Sequence, residues 1–546
     1  MLRSFLRSTC ALAGALLLAV AALAATAVPA TAAAPTGWLH TKGSQILDSN
    51  NKAYVLRATS WFGMETSNCT PHGLWTINLD DGMAQIRSFG FNAIRLPFSN
   101  ECLDPASKPN SINHAVNPRL EGLSTLKLMD AVVASAKAHG LKIILDRHRP
   151  DSAAQSELWY TSRYSEQRWI SDWTMLAKRY AKDPTVVGAD LHNEPHGTAC
   201  WGCKDAKRDW AAAATRAGNA VLAVNPKLLI IVEGVEKQAS PKTTTWWGGG
   251  LGDAKKHPVK LKVAQQLVYS THDYPASVFA QPWFAAKTYP RNLKAVWKAN
   301  WGYLQESGKT PVLLGEFGTK LQTTSDKQWL TALVDYVRVN KISFAYWSYN
   351  PNSGDTGGLV KDDWRTPESA KLELLRPILG KQTPFTPKVR TAAPSTSGGA
   401  DQAPAPTAAP TTAPTATPSS EPTTRPSAAP QPRTSPTTSG TPTPSSGAAG
   451  ATTADWRPQS SWPGSYVAEL ALTSTTGRQG WTVSWPDAQA TSVVNAWGMT
   501  CTTDAGTVRC TGADWGRELA PGQTVRVGVQ VATPGAPPAT PGLTLS

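Results

Sequence analysis

The sequence predicts an α/β protein in which a (β/α)8 TIM barrel is followed by an all-β sandwich, with a disordered Pro/Thr/Ser linker between them. Residues 34–385 alternate short apolar runs with longer helical patterns, as eight β/α repeats require. Residues 386–455 contain almost no large apolar side chain, and residues 456–546 alternate apolar and polar residues in short runs. The second pattern is typical of a linker, and the third of an antiparallel sandwich.

Residues 1–33 have the pattern of a secretory signal peptide. Arg3 and Arg7 precede an apolar run from Ala11 to Ala25, and small residues end the segment near Ala33. The apolar run is short for a membrane span. We therefore expect a secreted, extracellular protein with no membrane partner.

The barrel prediction depends on strands and helices that alternate along residues 34–385. The expected strands are Tyr54–Thr59, Asn92–Leu96, Lys142–Asp146, Val186–Leu191, Leu228–Glu233, Leu267–His272, Val312–Glu316 and Phe344–Trp347. The expected helices include Leu123–His139, Glu166–Ala181, Asp205–Val224, Arg291–Glu306 and Asp326–Asn340. A doubly wound open sheet is the alternative, and it is weakened because no GxGxxG motif follows an early strand.

The linker and the charge distribution exclude two classes of protein. Thirteen of the sixty residues 391–450 are proline, and most of the others are Ala, Thr, Ser or Gly, which favours an extended tether. The formal charge of +14 comes mainly from Lys and Arg scattered over residues 34–385, without a basic cluster interleaved with aromatics. We therefore expect no nucleic-acid partner and a chain that is only partly disordered. We also expect a monomer.

Six cysteines remain once the signal peptide is removed, and an even number in an oxidising compartment predicts disulfides. Cys200 and Cys203 could form a redox or half-zinc motif, but a local staple is favoured because no second metal-binding pair accompanies them. Domain membership then pairs the remaining cysteines as Cys69–Cys102 and Cys501–Cys510.

Polar residues gather at the carboxyl ends of the predicted strands, where (β/α)8 barrels carry their sites. Glu194 and Glu316 end the fourth and seventh strands after apolar runs. Carboxylates are rarely placed so without a partner or a function. The accompanying residues are Arg95, His148, Asn193, His272, Tyr274 and Trp347.

This set of residues suits glycoside hydrolysis, in which one carboxyl group protonates the leaving oxygen and the other stabilises or attacks the anomeric carbon. Arg95, His272 and Tyr274 could hold Glu316 charged, and the charge on Glu316 would help to keep Glu194 protonated. Asn193 is suited to bind the sugar 2-hydroxyl. A metal or other cofactor is not expected.

The motifs IRLP, DRHRP, HNEP, THDY, GEFG and YWSYN stand in barrel order and resemble those of glycoside hydrolase family 5, most closely secreted bacterial endo-β-1,4-glucanases. The resemblance covers residues 38–380. It implies a retaining double displacement with Glu194 as acid/base and Glu316 as nucleophile. It also implies supporting roles at the six positions named above, and substrate-stacking platforms at Trp75 and Trp247.

Residues 456–546 resemble family 2 carbohydrate-binding modules through the spacing of Trp462, Trp481, Trp497 and Trp515. Trp481 is expected in the core. The other three stand in turn-like contexts, and the resemblance implies that they form a flat strip on cellulose. The terminal cysteine pair of that family is missing, since Thr453 stands where the first would be.

The sequence therefore predicts a secreted endo-β-1,4-glucanase whose partners are cellulose and soluble β-1,4-glucan chains. One alternative is another family 5 activity, such as a β-mannanase or a xyloglucanase. The other is a non-catalytic polysaccharide-binding protein, which the presence of both Glu194 and Glu316 disfavours.

Overall fold

The structure is a computed structural model that describes residues 37–152, 154–239, 242–385, 452–462, 464–513, 516–522, 524–534, 538 and 541–546. The predicted signal peptide at residues 1–33 lies outside this part of the chain, and so do residues 386–451 of the predicted linker.

Eight parallel strands close into a barrel, which confirms the predicted fold. In chain order they are β1 Arg57–Ser60, β2 Ala93–Ser99, β3 Lys142–Arg149, β4 Val186–Asp190, β5 Leu229–Glu233, β6 Leu267–His272, β7 Val312–Glu316 and β8 Ser343–Tyr346. Each strand pairs with its neighbours in chain order, and pairing of Ser343–Tyr346 with Arg57–Ser60 closes the ring.

The barrel interior is apolar toward the amino ends of the strands and charged toward their carboxyl ends. Residues two apart on a strand share a face, so Ala93 and Arg95 of β2 both point inward, as do Ile231 and Glu233 of β5. The lower interior is a separate buried cluster that includes Ala93, Ile144, Leu229, Ile231, Val268 and Leu313. This apolar floor places the charged layer at the carboxyl ends of the strands.

Helices surround the barrel, and several begin at a side chain that accepts a backbone N–H. The helices are α1 Leu79–Ser88, α2 Thr125–Ala138, α3 Glu166–Arg179, α4 Trp210–Val224, α5 Leu293–Trp297, α6 Tyr303–Glu306, α7 Thr324–Asn340 and α8 Ser369–Leu375. The N-terminal caps are Asn78 for α1, Ser165 for α3, Asp209 for α4 and Thr323 for α7.

Two predicted helices differ from the structure. Helix α4 begins at Trp210 rather than at Asp205, because Asp209 caps it and also accepts the N–H groups of Gly202 and Lys204 in the preceding loop. The predicted helix Arg291–Glu306 is divided into α5, a π-helical segment Lys298–Gly302 and α6.

The C-terminal unit has two four-stranded antiparallel sheets packed on one core. Its strands are β9 Thr452–Trp462, β10 Gly464–Ser474, β11 Thr482–Pro486, β12 Ser492–Trp497, β13 Met499–Asp504, β14 Thr507–Gly512, β15 Thr524–Thr533 and β16 Thr544–Leu545. One sheet has the order β9-β10-β15-β12 and the other β13-β14-β11-β16. Trp481 is buried in the core. Residues 452–455, which composition placed in the linker, pair with the strand β10 and belong to this unit.

Three disulfides join Cys69 to Cys102, Cys200 to Cys203 and Cys501 to Cys510. The last pair links the adjacent strands β13 and β14. Within the described residues, no helix combines the length and the apolar character that crossing a bilayer would need.

Candidate active site

Arg95 is the centre of the charged layer at the top of the barrel. Its side chain is fully buried, and its guanidinium group donates from all three nitrogens. The acceptors are Asp190 (2.9 Å), Glu316 (2.6 Å), Asn193 (2.8 Å) and Glu233 (3.0 Å), and Asp146 lies 3.1 Å away as an ion-pair partner. A planar guanidinium can hold acceptors in fixed directions, so Arg95 orients several strand ends at once.

Glu316 lies at the end of β7, and both of its carboxyl oxygens are held. Arg95 Nη1 donates to Oε1 at 2.6 Å, and the Tyr274 hydroxyl donates to Oε2 at 2.6 Å. Burial raises the pKa of Glu316 to about 7, although His272 and Arg95 act to lower it. The carboxyl group is therefore oriented and can ionise near neutral pH.

Glu194 follows β4 and turns toward Glu316. Its backbone has φ 55°, in the left-handed region, and its side chain is 12% exposed. His272 Nδ1 lies 2.9 Å from Glu194 Oε1, and oxygens of Glu194 and Glu316 lie within 4.8 Å of each other. The two carboxyl groups therefore face one space.

His272 lies between carboxylates. Its Nδ1 contacts Glu194, and its Nε2 lies 3.3 Å from Glu233 Oε1. Burial acts to lower the pKa of His272, but the charges of Glu233 and Glu316 raise it well above the ordinary value. His272 therefore lies between a hydrogen-bonded contact with Glu194 and an ion pair with Glu233.

Asn193 has one free donor at this site. Its Oδ1 accepts from Arg95, which fixes the amide orientation, and Nδ2 is buried without a hydrogen-bond partner among the described residues. Buried donors are usually satisfied. The Nδ2 group is therefore available to a polar ligand beside Glu194.

His148 and Trp347 form the adjoining wall. His148 Nδ1 lies 2.7 Å from Asp146 Oδ2, and its ring is parallel to Trp347 with centroids 5.1 Å apart. Burial lowers the pKa of His148 to about 3, so the imidazole is neutral. Trp347 also stacks on Phe62, with centroids 5.4 Å apart.

Trp247 provides an open aromatic face beside the loop that carries Glu194. Its side chain is 44% exposed, and one face stacks on His196 with centroids 3.8 Å apart. His196 Nδ1 also lies 2.6 Å from the Glu194 carbonyl oxygen. The indole is thus held at a fixed place relative to Glu194.

The structure corrects the expectation that Trp75 is a stacking platform. Trp75 is only 4% exposed, and it packs against His72 and against the edge of Trp364. Stacking on a sugar requires an accessible ring face. Trp75 therefore belongs to the core beneath the cleft.

Three carboxylates that contact Arg95 were not predicted as site residues, namely Glu233, Asp146 and Asp190. Glu233 was recognised only as the end of a predicted strand. The two-residue alternation along that strand places Glu233 on the same inward face as Leu229 and Ile231, and this signal could have identified it.

Within the described residues, two groups have ligand atoms close enough together to hold a metal ion, namely Glu194, His272 and Glu316, and Asp146, Asp190 and Glu233. The first group consists of the facing carboxyl groups and the histidine between them. In the second group, Arg95 forms an ion pair with each of the three carboxylates. The guanidinium group of Arg95 therefore supplies the positive charge that these three carboxylates face.

The predicted strip of tryptophans on the C-terminal unit falls outside what can be described. Trp515 lies outside the described residues. The backbones of Trp462 and Trp497 end β9 and β12, but the described part of the chain does not include their side chains.

A (β/α)8 barrel whose strand ends bring two carboxyl groups together beside open aromatic and amide groups defines a glycoside hydrolase. The family described as cellulase (glycosyl hydrolase family 5) matches residues 47–353, and the chain belongs to this family. The cellulose binding domain family matches residues 452–546.

The relatives agree with this assignment. An endoglucanase from Paenibacillus polymyxa is 50% identical over 357 residues, which are 65% of this chain and 90% of that protein. The catalytic domain of the major endoglucanase from Xanthomonas campestris pv. campestris is 41% identical with a TM-score of 0.60, over 62% of this chain and 99% of that one. An endocellulase from Pyrococcus horikoshii in complex with cellotetraose is 38% identical with a TM-score of 0.60, over 62% of this chain and 98% of that one.

Proposed function

We propose that this protein is a secreted endo-β-1,4-glucanase that hydrolyses internal bonds of cellulose and of soluble β-1,4-glucan chains by a retaining double displacement. The observation that carries the mechanism is the separation of the two carboxyl groups, whose oxygens lie within 4.8 Å of each other. Retaining enzymes hold their carboxyl groups about 5–5.5 Å apart, whereas inverting enzymes leave room for a water molecule.

Glu316 is the proposed nucleophile. Its carboxylate attacks the anomeric carbon, the glycosidic C–O bond breaks, and a covalent glycosyl ester forms. Arg95 and Tyr274 hold one oxygen each, so the attacking oxygen is presented in a defined direction. The buried position also keeps water from competing for the carboxylate.

Glu194 is the proposed acid/base. It gives its proton to the leaving oxygen in the first step and takes a proton from the attacking water in the second. The water oxygen then bonds to the anomeric carbon, and Glu316 leaves as a carboxylate. The contact with His272 orients Glu194 for both steps.

The remaining site residues bind the sugar in this proposal. Asn193 Nδ2 donates to the 2-hydroxyl of the ring that reacts, a contact that strengthens in the transition state. His148 and Trp347 form the wall of that subsite. Trp247 stacks on a ring on the leaving-group side, because His196 holds it beside Glu194.

The remaining parts of the chain are assigned by composition and by the family matches. Residues 1–33 would direct export, residues 34–385 would carry out hydrolysis, and the tether would begin at 386. The C-terminal unit would hold the enzyme on cellulose through Trp462, Trp497 and Trp515, and its family is described as a cellulose binding domain. The enzyme would act as an extracellular monomer.

Activity of Glu316→Gln and Glu194→Gln against wild type on carboxymethylcellulose tests the assignment. Loss of the nucleophile should reduce the release of reducing sugar by several orders of magnitude, and loss of the acid/base by about 10²–10⁴-fold. A Glu316→Gln enzyme as active as wild type would refute catalysis at this site.

Substrate and mode of action need separate measurements. Parallel assays on mannan and xyloglucan should show slower hydrolysis than on carboxymethylcellulose. Cello-oligosaccharides should be cleaved at internal bonds, and the first products should have the β configuration by NMR. A first product with the α configuration would exclude the double displacement.

A further inference from the structure

We propose that Glu233 is a positioning residue that holds the acid/base Glu194 in its reactive orientation. This inference rests on the proposed function, because it assumes that Glu194 transfers the proton. Glu233 ends the strand β5, next to the strand that leads to Glu194, and its side chain is fully buried.

Glu233 contacts Glu194 at the backbone. The Glu194 N–H group donates to Glu233 Oε2 at 2.7 Å. This N–H belongs to a residue with φ 55°, a backbone conformation that residues other than glycine rarely adopt. A charged acceptor on the N–H stabilises the turn, which aims the Glu194 side chain at the nucleophile.

Glu233 also reaches the Glu194 carboxyl group through a histidine. Glu233 Oε1 lies 3.3 Å from His272 Nε2, and His272 Nδ1 lies 2.9 Å from Glu194 Oε1. One buried carboxylate therefore accepts the N–H of the acid/base and forms an ion pair with the histidine that contacts its side chain. His272 by itself would leave the Glu194 N–H without its acceptor.

The neighbouring loop packs closely against Glu233 at Gly248. Gly248 has φ +67°, and a Cβ atom there would lie 2.6 Å from Glu233 Oε2 and 3.2 Å from Glu194 Cα. Gly248 therefore lets its loop close against the contact between the two residues. Such close packing fixes the carboxylate against the peptide that it holds.

A general role in balancing the charge of Arg95 does not require these contacts. Asp190 has that role alone, since its Oδ2 accepts from Arg95 Nε at 2.9 Å and its Oδ1 has no hydrogen-bond partner within the described ranges. Glu233 contacts Arg95 at 3.0 Å and the acid/base as well. Asp190 is therefore a matched control for a substitution of Glu233.

The test compares Glu233→Gln and Asp190→Asn on aryl β-cellobiosides of different leaving groups. An amide has only one acceptor oxygen. Glu233→Gln therefore loses either the hydrogen bond from the Glu194 N–H or the contacts with Arg95 and His272. The value of kcat/KM reports the step that breaks the glycosidic bond. For a substrate with a poor leaving group such as phenol, kcat/KM of Glu233→Gln should therefore fall about 10–100-fold. Dinitrophenol leaves without a proton, so its kcat/KM should fall less than about threefold.

The control separates acid/base positioning from the charge of Arg95. Asp190→Asn should lower kcat/KM by the same factor for every leaving group, because it acts through Arg95 on the nucleophile. The same uniform loss in Glu233→Gln would overturn the proposal. Thermal unfolding of both variants checks that the fold is retained.

Two further variants complete the test. Glu233→Asp keeps the charge but is one methylene shorter, so it should show the same dependence on leaving group even if Glu233→Gln does not fold. Glu194→Gln should show that dependence more steeply. A flat response in Glu194→Gln would refute the proposed function itself, whereas a flat response only in the Glu233 variants would refute the positioning role.

Discussion

Arg95 Nη1 donates to Glu316 Oε1 at 2.6 Å, and both side chains are buried at the top of the barrel. The same guanidinium holds Asp146, Asp190 and Glu233. Each of these groups comes from a different strand. Glu316, the proposed nucleophile, is therefore oriented by a charge network that only a closed barrel can assemble.

Arg95→Lys should lower kcat/KM on soluble substrate by about 10²–10³-fold, because a lysine ammonium cannot hold several acceptors in fixed directions. It should also reduce the free energy of unfolding by about 3 kcal/mol, since buried carboxylates lose partners. Steady-state kinetics and denaturant unfolding measure the two effects. Wild-type kcat/KM in the variant would contradict the orienting role.

The fall of kcat/KM at low pH, the acid limb, should report the ionisation of Glu316, the proposed nucleophile. Burial raises the pKa of Glu316 to about 7, and only the ionised carboxylate attacks. As the pH falls below this value, kcat/KM should therefore fall about tenfold per pH unit. Tyr274→Phe removes a hydrogen bond to the charged form, so it should move the limb to higher pH. An unmoved limb would contradict the assignment to Glu316.

Trp247→Ala should weaken binding of longer cello-oligosaccharides. The exposed indole loses its stacking contact, worth about 1 kcal/mol, so KM should rise about fivefold while kcat changes little. Val339→Ala, at another exposed apolar residue on the outer helix α7, is the control and should leave KM unchanged. An unchanged KM in Trp247→Ala would exclude the platform.

Trp75→Ala should act on stability instead. Its buried indole leaves a cavity, so the free energy of unfolding should fall by about 3–5 kcal/mol. The KM of the folded fraction should stay at the wild-type value. Urea unfolding and kinetics at low temperature measure both, and a raised KM with normal stability would restore the platform hypothesis.

Alanine substitutions at Trp462, Trp497 and Trp515 in the full chain should lower binding to crystalline cellulose. The proposed strip has one indole face at each of these positions, so the losses should accumulate. Hydrolysis of carboxymethylcellulose should remain unchanged, because the barrel is intact. Pull-down on microcrystalline cellulose measures the effect, and Trp481→Ala, which alters the core, separates unfolding from loss of the surface.

The strand ends were the most informative part of the sequence. Glu194 and Glu316 could be selected because a carboxylate after an apolar run is unusual, and the barrel prediction put both on one face. Glu233 satisfies the same criterion, but its contacts with Glu194 and His272 depend on strand pairing and on the Glu194 turn. Those contacts are not visible in a local pattern.

The aromatic residues show the limit of local reasoning. Trp75 and Trp247 both have a glycine within two residues, yet one is buried and the other is exposed. Which of them opens to the cleft depends on neighbours distant in sequence, Trp364 for Trp75 and His196 for Trp247.

The sequence by itself determined the barrel and the sandwich, because the periodicity of apolar residues is a local property. Its proline content predicts a tether between them, and its apolar runs placed Glu194 and Glu316 at strand ends. Only the tertiary structure decided how Arg95, Glu233 and His272 hold them, and which indoles stay open. Those outcomes depend on distances and burial between segments far apart in the chain, which closure of the barrel alone establishes.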